Sequence, residues 1–275
     1  IVKIAIKPMS GSSLTTQTKA DIVKQLKEYN VASVSPVIVD PEITSIVLTS
    51  TAKYDERATT KDADTIKADI INTLGTYNVS TLQKFDSMFR HSKVVKLVDD
   101  TDNSILSNIT TLKIRKSFTP TLNSSLKYSV FFRNAVYNPH TGHNSTAGGV
   151  VTSSGFKVQG STSEQLLDDD GNGNIRRYYL SGATRVYTNS TQGTINYTTG
   201  EITINSLQIT EISNIRGSAS TVIELTVQPA SNDIVPVRDQ ILELDIPNST
   251  ISVEKDSFVG GSSDAGVGYT TTSAY

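Results

Sequence analysis

Residues 174–212 decide the fold class. They read Asn174-Ile175-Arg176-Arg177-Tyr178-Tyr179-Leu180 into Ser181-Gly182, then Ala183-Thr184-Arg185-Val186-Tyr187-Thr188 into a polar break ending at Gly193. Thr194-Ile195-Asn196-Tyr197 follows, then Thr198-Thr199-Gly200, then Glu201-Ile202-Thr203-Ile204-Asn205. Each run is rich in β-branched and aromatic residues and each break contains glycine, which is the pattern of consecutive antiparallel strands joined by tight turns. Ile202 and Ile204 share one face while Glu201, Thr203 and Asn205 share the other, so one side of this sheet meets water. No nucleophile, base and orienting group converge here. The chemistry is that of scaffold and interface.

The rest of the composition agrees. A chain of 275 residues has room for two domains, and with 36% hydrophobic and 19% charged residues it is rich in Ser, Thr and Asn, a β-leaning balance. A net charge of −2 leaves no electrostatic footprint for nucleic acid or an anionic membrane. Cysteine is absent, which excludes disulfides, thiolate metal sites and a cysteine nucleophile. No apolar run approaches the roughly 20 residues of a membrane span, and no signal peptide is present. The chain begins at Ile1 inside a strand pattern and without methionine, so a piece of a longer polypeptide is expected.

Upstream, Val2, Ile4 and Ile6 alternate with Lys3, Ala5 and Lys7 as a strand. Thr15 or Thr16 can cap a helix carrying Ile22, Val23 and Leu26. Residues 34–39 and 42–54 read as strands, the second with Ile46, Leu48, Ser50 and Ala52 inward. A helix from near Thr60 presents Ile66, Ile70 and Leu74, and Ser92 is the expected cap of a shorter helix with Val94 and Val98. Residues 105–116 form the next strand. This order predicts an α+β chain: a ferredoxin-like split β-α-β domain over residues 1–120, then an all-β antiparallel domain over 121–260. The polar, proline-containing stretch 117–125 marks the boundary. A flexible C-terminal tail is expected over 261–275.

Three groups invite a chemical reading. Asp168, Asp170, Asn172 and Gly173 match the first half of a calcium loop, but Tyr179 stands where the bidentate carboxylate is needed, so a plain turn is the better reading. His140 and His143 are close in sequence without the other ligands a structural metal site needs, and read as solvated loop histidines. Arg176, Arg177 and Arg185 interleave with Tyr178, Tyr179 and Tyr187, a protein-contacting face in preference to one for single-stranded nucleic acid or sugar. No catalytic residue, metal ligand or cofactor is predicted. The segment with Pro236 suits a sheet edge, and Val237, Arg238, Ile241 and Leu242 make the expected interface patch for a two-fold contact between copies.

Residues 89–99, Phe89-Arg90-His91-Ser92-Lys93-Val94-Val95-Lys96-Leu97-Val98-Asp99, look familiar together with Asp40-Pro41-Glu42, the stretch 168–205 and Asp233-Ile234-Val235-Pro236-Val237-Arg238-Asp239-Gln240-Ile241-Leu242. The ordered set resembles the baseplate wedge subunit family of T-even-like contractile-tailed phages, in its cyanophage-like version, and more distantly the baseplate J-like family. It covers nearly the whole chain, as the C-terminal half of such a subunit. The resemblance implies a non-enzymatic virion component of the tail baseplate, assembled in the host cytoplasm. Copies would join into a ring around the hub, tie neighbouring wedges together, contact other wedge and hub proteins, and rearrange when contraction is triggered; the homodimer is expected from the two-fold patch above. Neither nucleic acid nor membrane is an expected partner. The alternative is a receptor- or carbohydrate-binding tail module, for which the tyrosine-rich meander and the loop 138–149 speak.

Overall fold

The computed structural model describes residues 1–8, 14–29, 35–143, 149–237 and 239–256. The chain runs β1 (Val2–Ala5), α1 (Thr16–Glu28), β2 (Pro36–Val39), β3 (Glu42–Tyr54), α2 (Ala63–Tyr77), a π-helical turn (Asn78–Leu82), α3 (His91–Asp99) and β4 (Ile105–Phe118). Then come β5 (Ser125–Phe131), β6 (Val151–Ser153), β7 (Phe156–Val158), β8 (Leu166–Asp169), β9 (Asn174–Ser181), β10 (Thr184–Asn196) and β11 (Glu201–Ile212). The chain closes with β12 (Ile223–Val227), β13 (Gln240–Leu244), a 3-10 turn (Ile246–Asn248) and β14 (Thr250–Lys255).

β3 is the axis of the first large sheet, ordered β13-β3-β4-β12-β6 with β14 also on β3. Its alternation works as expected, since Ile46, Leu48, Ser50, Ala52 and Tyr54 are all buried. Ile66, Ile70 and Leu74 of α2 and Val94 and Val98 of α3 join the same core. Each such side chain contributes roughly 1.5–3 kcal/mol. β4 lies antiparallel to β3 on one side. On the other side β13 and β14 follow one another in parallel, beside residues 42–46 and 49–54.

Side chains close the gap between β13 and β14. Leu48 N donates to Ser249 Oγ at 2.9 Å, and that hydroxyl donates to Asp245 O at 2.7 Å. The outer edge of β13 is closed the same way. Buried Asn78 donates through Nδ2 to Leu244 O (3.2 Å) and accepts from Leu244 N through Oδ1 (2.8 Å), standing in for a neighbouring strand. α3 lacks a side-chain cap of its own, and Ser92 lies inside it. Asp233 does that work from far along the chain, accepting from His91 N at 2.9 Å and pairing with Arg90 at 2.7 Å.

The second sheet is ordered β5-β11-β10-β9-β8, with β7 also on β11. It contains the predicted meander, and the two sheets share one hydrophobic core. The chain is mixed α+β, but the strands assigned to one ferredoxin-like sheet lie in two. β1 pairs with β2 alone, in parallel, while β3 and β4 take their neighbours from β12, β13, β14. That sheet therefore crosses residue 120. The polar stretch 117–125 is where the chain leaves the first sheet for the second; it returns briefly at β6 and then, after β7 to β11, at β12. The predicted tail falls outside the described residues. No helix among the described residues is long and apolar enough to cross a membrane.

Asn78→Ala strands a buried N–H and a buried C=O, each costing roughly 1–3 kcal/mol, so urea unfolding should show a loss of about 2–4 kcal/mol. The Arg90 guanidinium and then the His91 amide hold the Asp233 carboxyl below the usual carboxylate range. A carboxyl depressed in the folded state contributes stability above its unfolded pKa of about 3.9 and loses it as pH falls below that. Asp233→Asn should therefore flatten the acid limb of the melting temperature against pH, leaving the difference from the parent greatest at neutral pH.

Candidate functional site

The densest polar chemistry lies where β8, β9 and β10 run side by side. Their register sets Asp168 opposite Arg176 and Tyr178 opposite Tyr187, all on one face. Asp168 is fully buried and accepts from Arg176 Nε at 2.9 Å, Arg185 Nη1 at 2.7 Å and the Tyr187 hydroxyl at 2.8 Å. The guanidiniums lie over the rings, Arg176 on Tyr187 at 4.4 Å and Arg185 on Tyr178 at 4.8 Å. Of the expected Arg and Tyr face, Arg176, Arg185, Tyr178 and Tyr187 come together, locked by a buried carboxylate, while Arg177 and Tyr179 alternate to the opposite face of β9, where Arg177 Nε donates to Thr188 Oγ1 at 3.1 Å.

Asp169 faces the other way. It too is fully buried, and one oxygen accepts from Val150 N (2.7 Å) and Val151 N (2.8 Å), the other from the Tyr197 hydroxyl (2.6 Å). Burial, and then the bond to Asp169, push the Tyr197 hydroxyl above the ordinary tyrosine range, so it remains a donor. Leu167 N meanwhile donates to Ser153 Oγ at 2.7 Å. These bonds join the edge of β8 to the edge of β6, and so one sheet to the other.

Asp170 makes the turn. It accepts from Asn172 N at 2.8 Å, Asn174 N at 2.9 Å and Asn174 Nδ2 at 2.7 Å. Burial works against the Asp170 charge, but these bonds keep its carboxyl below the ordinary range. Gly171 and Gly173 both adopt positive φ. The stretch is a hairpin turn whose three aspartates point to three different sets of protein donors. His140 and His143 meet at 3.1 Å between ring nitrogens, both exposed, with Tyr137 edge-on to His143. Among the described residues no three of His, Cys, Asp and Glu cluster as metal ligands would.

The expected interface patch comes apart. Ile241 is 1% exposed and Leu242 0%, paired with Ile43 and Thr44 of β3, so both faces of β13 are covered. Val237 is half-buried, and Arg238 lies outside the described residues. The adjacent apolar pair in Gln240-Ile241-Leu242 was the available signal: two neighbouring apolar residues suit a strand buried on both faces, as parallel strands are.

Sequence reading missed a cleft of about 750 Å³ between the sheets, lined by residues 40–43, 116–119 and 129–131. At its floor the buried Lys116 ammonium donates to Glu42 and to Phe131 O (2.6 Å), and Arg133 reaches the other Glu42 oxygen at 3.2 Å. Burial lowers the Lys116 pKa against the opposing pull of Glu42.

The buried polar residues described above bond strand to strand and sheet to sheet. Residues 1–39 match the family described as baseplate structural protein gp6, C-terminal domain I, and residues 43–117 match its C-terminal domain III. Over 129 residues the chain is 30% identical to the baseplate wedge protein gp6 of Enterobacteria phage T4, a match spanning 46% of this chain and 20% of that protein. These matches make the first part of the chain similar to C-terminal domains of a baseplate wedge protein, of whose full length the match spans about a fifth.

Asp168→Ala leaves two arginines beside an empty buried site, and breaking a buried pair in this way costs roughly 3–5 kcal/mol. Tyr197→Phe removes one bond to Asp169 and should cost about 1–2 kcal/mol. Denaturant unfolding of both variants checks the order.

Proposed function

We propose that the chain is a non-catalytic linker of the tail baseplate: copies tie neighbouring wedges into a ring around the hub, and the ring rearranges when contraction is triggered. The observation that carries this reading is the match of residues 43–117 to the baseplate C-terminal domain III. That segment contains β3, α2, α3 and β4, the frame onto which β12, β13 and β14 dock. The partners are a second copy, through a two-fold contact, and other wedge and hub proteins, met during assembly in the host cytoplasm. A glycan-binding role has less support, because arginines already cover the Tyr178 and Tyr187 rings that a sugar would need.

Sedimentation across concentration tests the first part. The chain should sediment as a dimer, and mixing with other tail proteins should give a larger species of defined mass. A strictly monomeric chain that forms no complex with any of them would overturn the reading.

A further inference from the structure

Three sheet edges end on side chains: β13 on Asn78, and β6 and β8 on each other through Asp169 and Ser153. β5, like the shorter β7 and β14, has a single strand neighbour among the described residues, β11 in its case, and at seven residues it is the longest of the three.

The direction of its free groups follows from the register. Phe132 N donates to Gly200 O of the β11 side at 2.9 Å. Residues along an antiparallel strand alternate, so Val130 and Tyr128 also bond toward β11, while Lys127, Ser129 and Phe131 turn their N–H and C=O outward. The Phe131 carbonyl agrees, since the Lys116 ammonium reaches it from that outer side. Among the described residues no such bond reaches the outward groups of Lys127 or Ser129, and Ser129 itself lines the open cleft. Beside them the strand carries apolar surface, with Leu126 41% and Phe131 44% exposed, and the cleft of residues 40–43 and 116–119 opens at its Phe131 end. No proline or bulge on β5 itself blunts this edge.

Resting on the reading that copies of this chain associate, we propose that β5 is the contact: it pairs antiparallel with β5 of a second copy, joining two sheets edge to edge. Charge selects the register. Centring the two-fold axis on Lys127 would set lysine against lysine, and like charges directly opposite destabilise a strand pair. Centring it on Tyr128 sets Lys127 opposite Ser129 of the other copy and Leu126 beside its Val130. That register supplies the outward groups of Lys127 and Ser129 with reciprocal bonds on both sides of the axis. It also carries the Ser125 end of each strand, with exposed Leu122 just before it, toward the cleft at Phe131 of the other copy.

Ser129→Pro deletes an N–H that its own sheet does not use and keeps an extended backbone, as proline does on edge strands. Sedimentation should show dimerisation weakened by at least about tenfold, with the melting temperature near the parent's. The chain has no cysteine, so single cysteines report without ambiguity. An equimolar mixture of Lys127→Cys and Ser129→Cys should cross-link on mild oxidation, far more than either variant alone, because opposed strand residues lie within disulfide reach. If Ser129→Pro dimerises as the parent does, or the mixture fails to cross-link while the parent is a dimer, this contact is wrong and another surface carries the association. If Ser129→Pro misfolds, the cross-link decides by itself. A strictly monomeric parent overturns this contact and the self-association beneath it.

Discussion

The Asp169 carboxylate is the joint on which the two sheets depend. β6 ends one sheet and β8 the other, and each presents backbone groups that need partners in a dry interior. One oxygen of Asp169 takes two consecutive amides, Val150 and Val151, and the second oxygen is held by Tyr197. No neutral side chain offers two acceptor oxygens in so small a volume. The arrangement dictates its surroundings. Gly149 has positive φ, and a Cβ on it would come within 2.2 Å of the Asp169 oxygen that takes these amides, so any side chain there would dislodge the carboxylate.

Asp168 plays the complementary part on the opposite face. Neighbouring residues of a strand point to opposite sides, so two consecutive buried aspartates serve two layers. One fastens the meander within itself through Arg176, Arg185 and Tyr187, and the other fastens the meander to the first sheet. The Asp-rich stretch thus owes its composition to buried pairing as well as to the turn at Asp170.

Periodicity made local structure legible. β3 was readable from Glu42 to Tyr54 with its inner face, α2 from Ile66, Ile70 and Leu74, and the meander from its glycine-punctuated runs. Pairing was not legible in the same way. β3 and β13 are almost 200 residues apart, and nothing in an alternating pattern names a partner at that distance, so β3 and β4 were grouped with β1 and β2 by proximity in the chain. The site shows the same division. The Arg and Tyr face was visible as composition, but its closure by Asp168 required the strand register. Ile241 and Leu242 were legible as apolar; that both their faces were already covered was not. Asn78 and Asp233 act on elements far along the chain, a role that a lone Asn or Asp does not announce.

The segment between Phe118 and Ile223, which carries the second sheet and also β6 of the first, starts and ends at paired neighbours on β4 and β12. A load that pulls the inserted sheet away therefore acts on the same end of two antiparallel strands, and their bonds open singly, like a zipper, where a lengthwise load would have to shear them together. β14 is placed for the stronger geometry: it runs parallel to β3, so tension on the following chain draws it lengthwise along β3, against all its rungs at once. The two sheets therefore have a compliant direction and a stiff one, and the Asp169 joint between β8 and β6 resists opening along the compliant one.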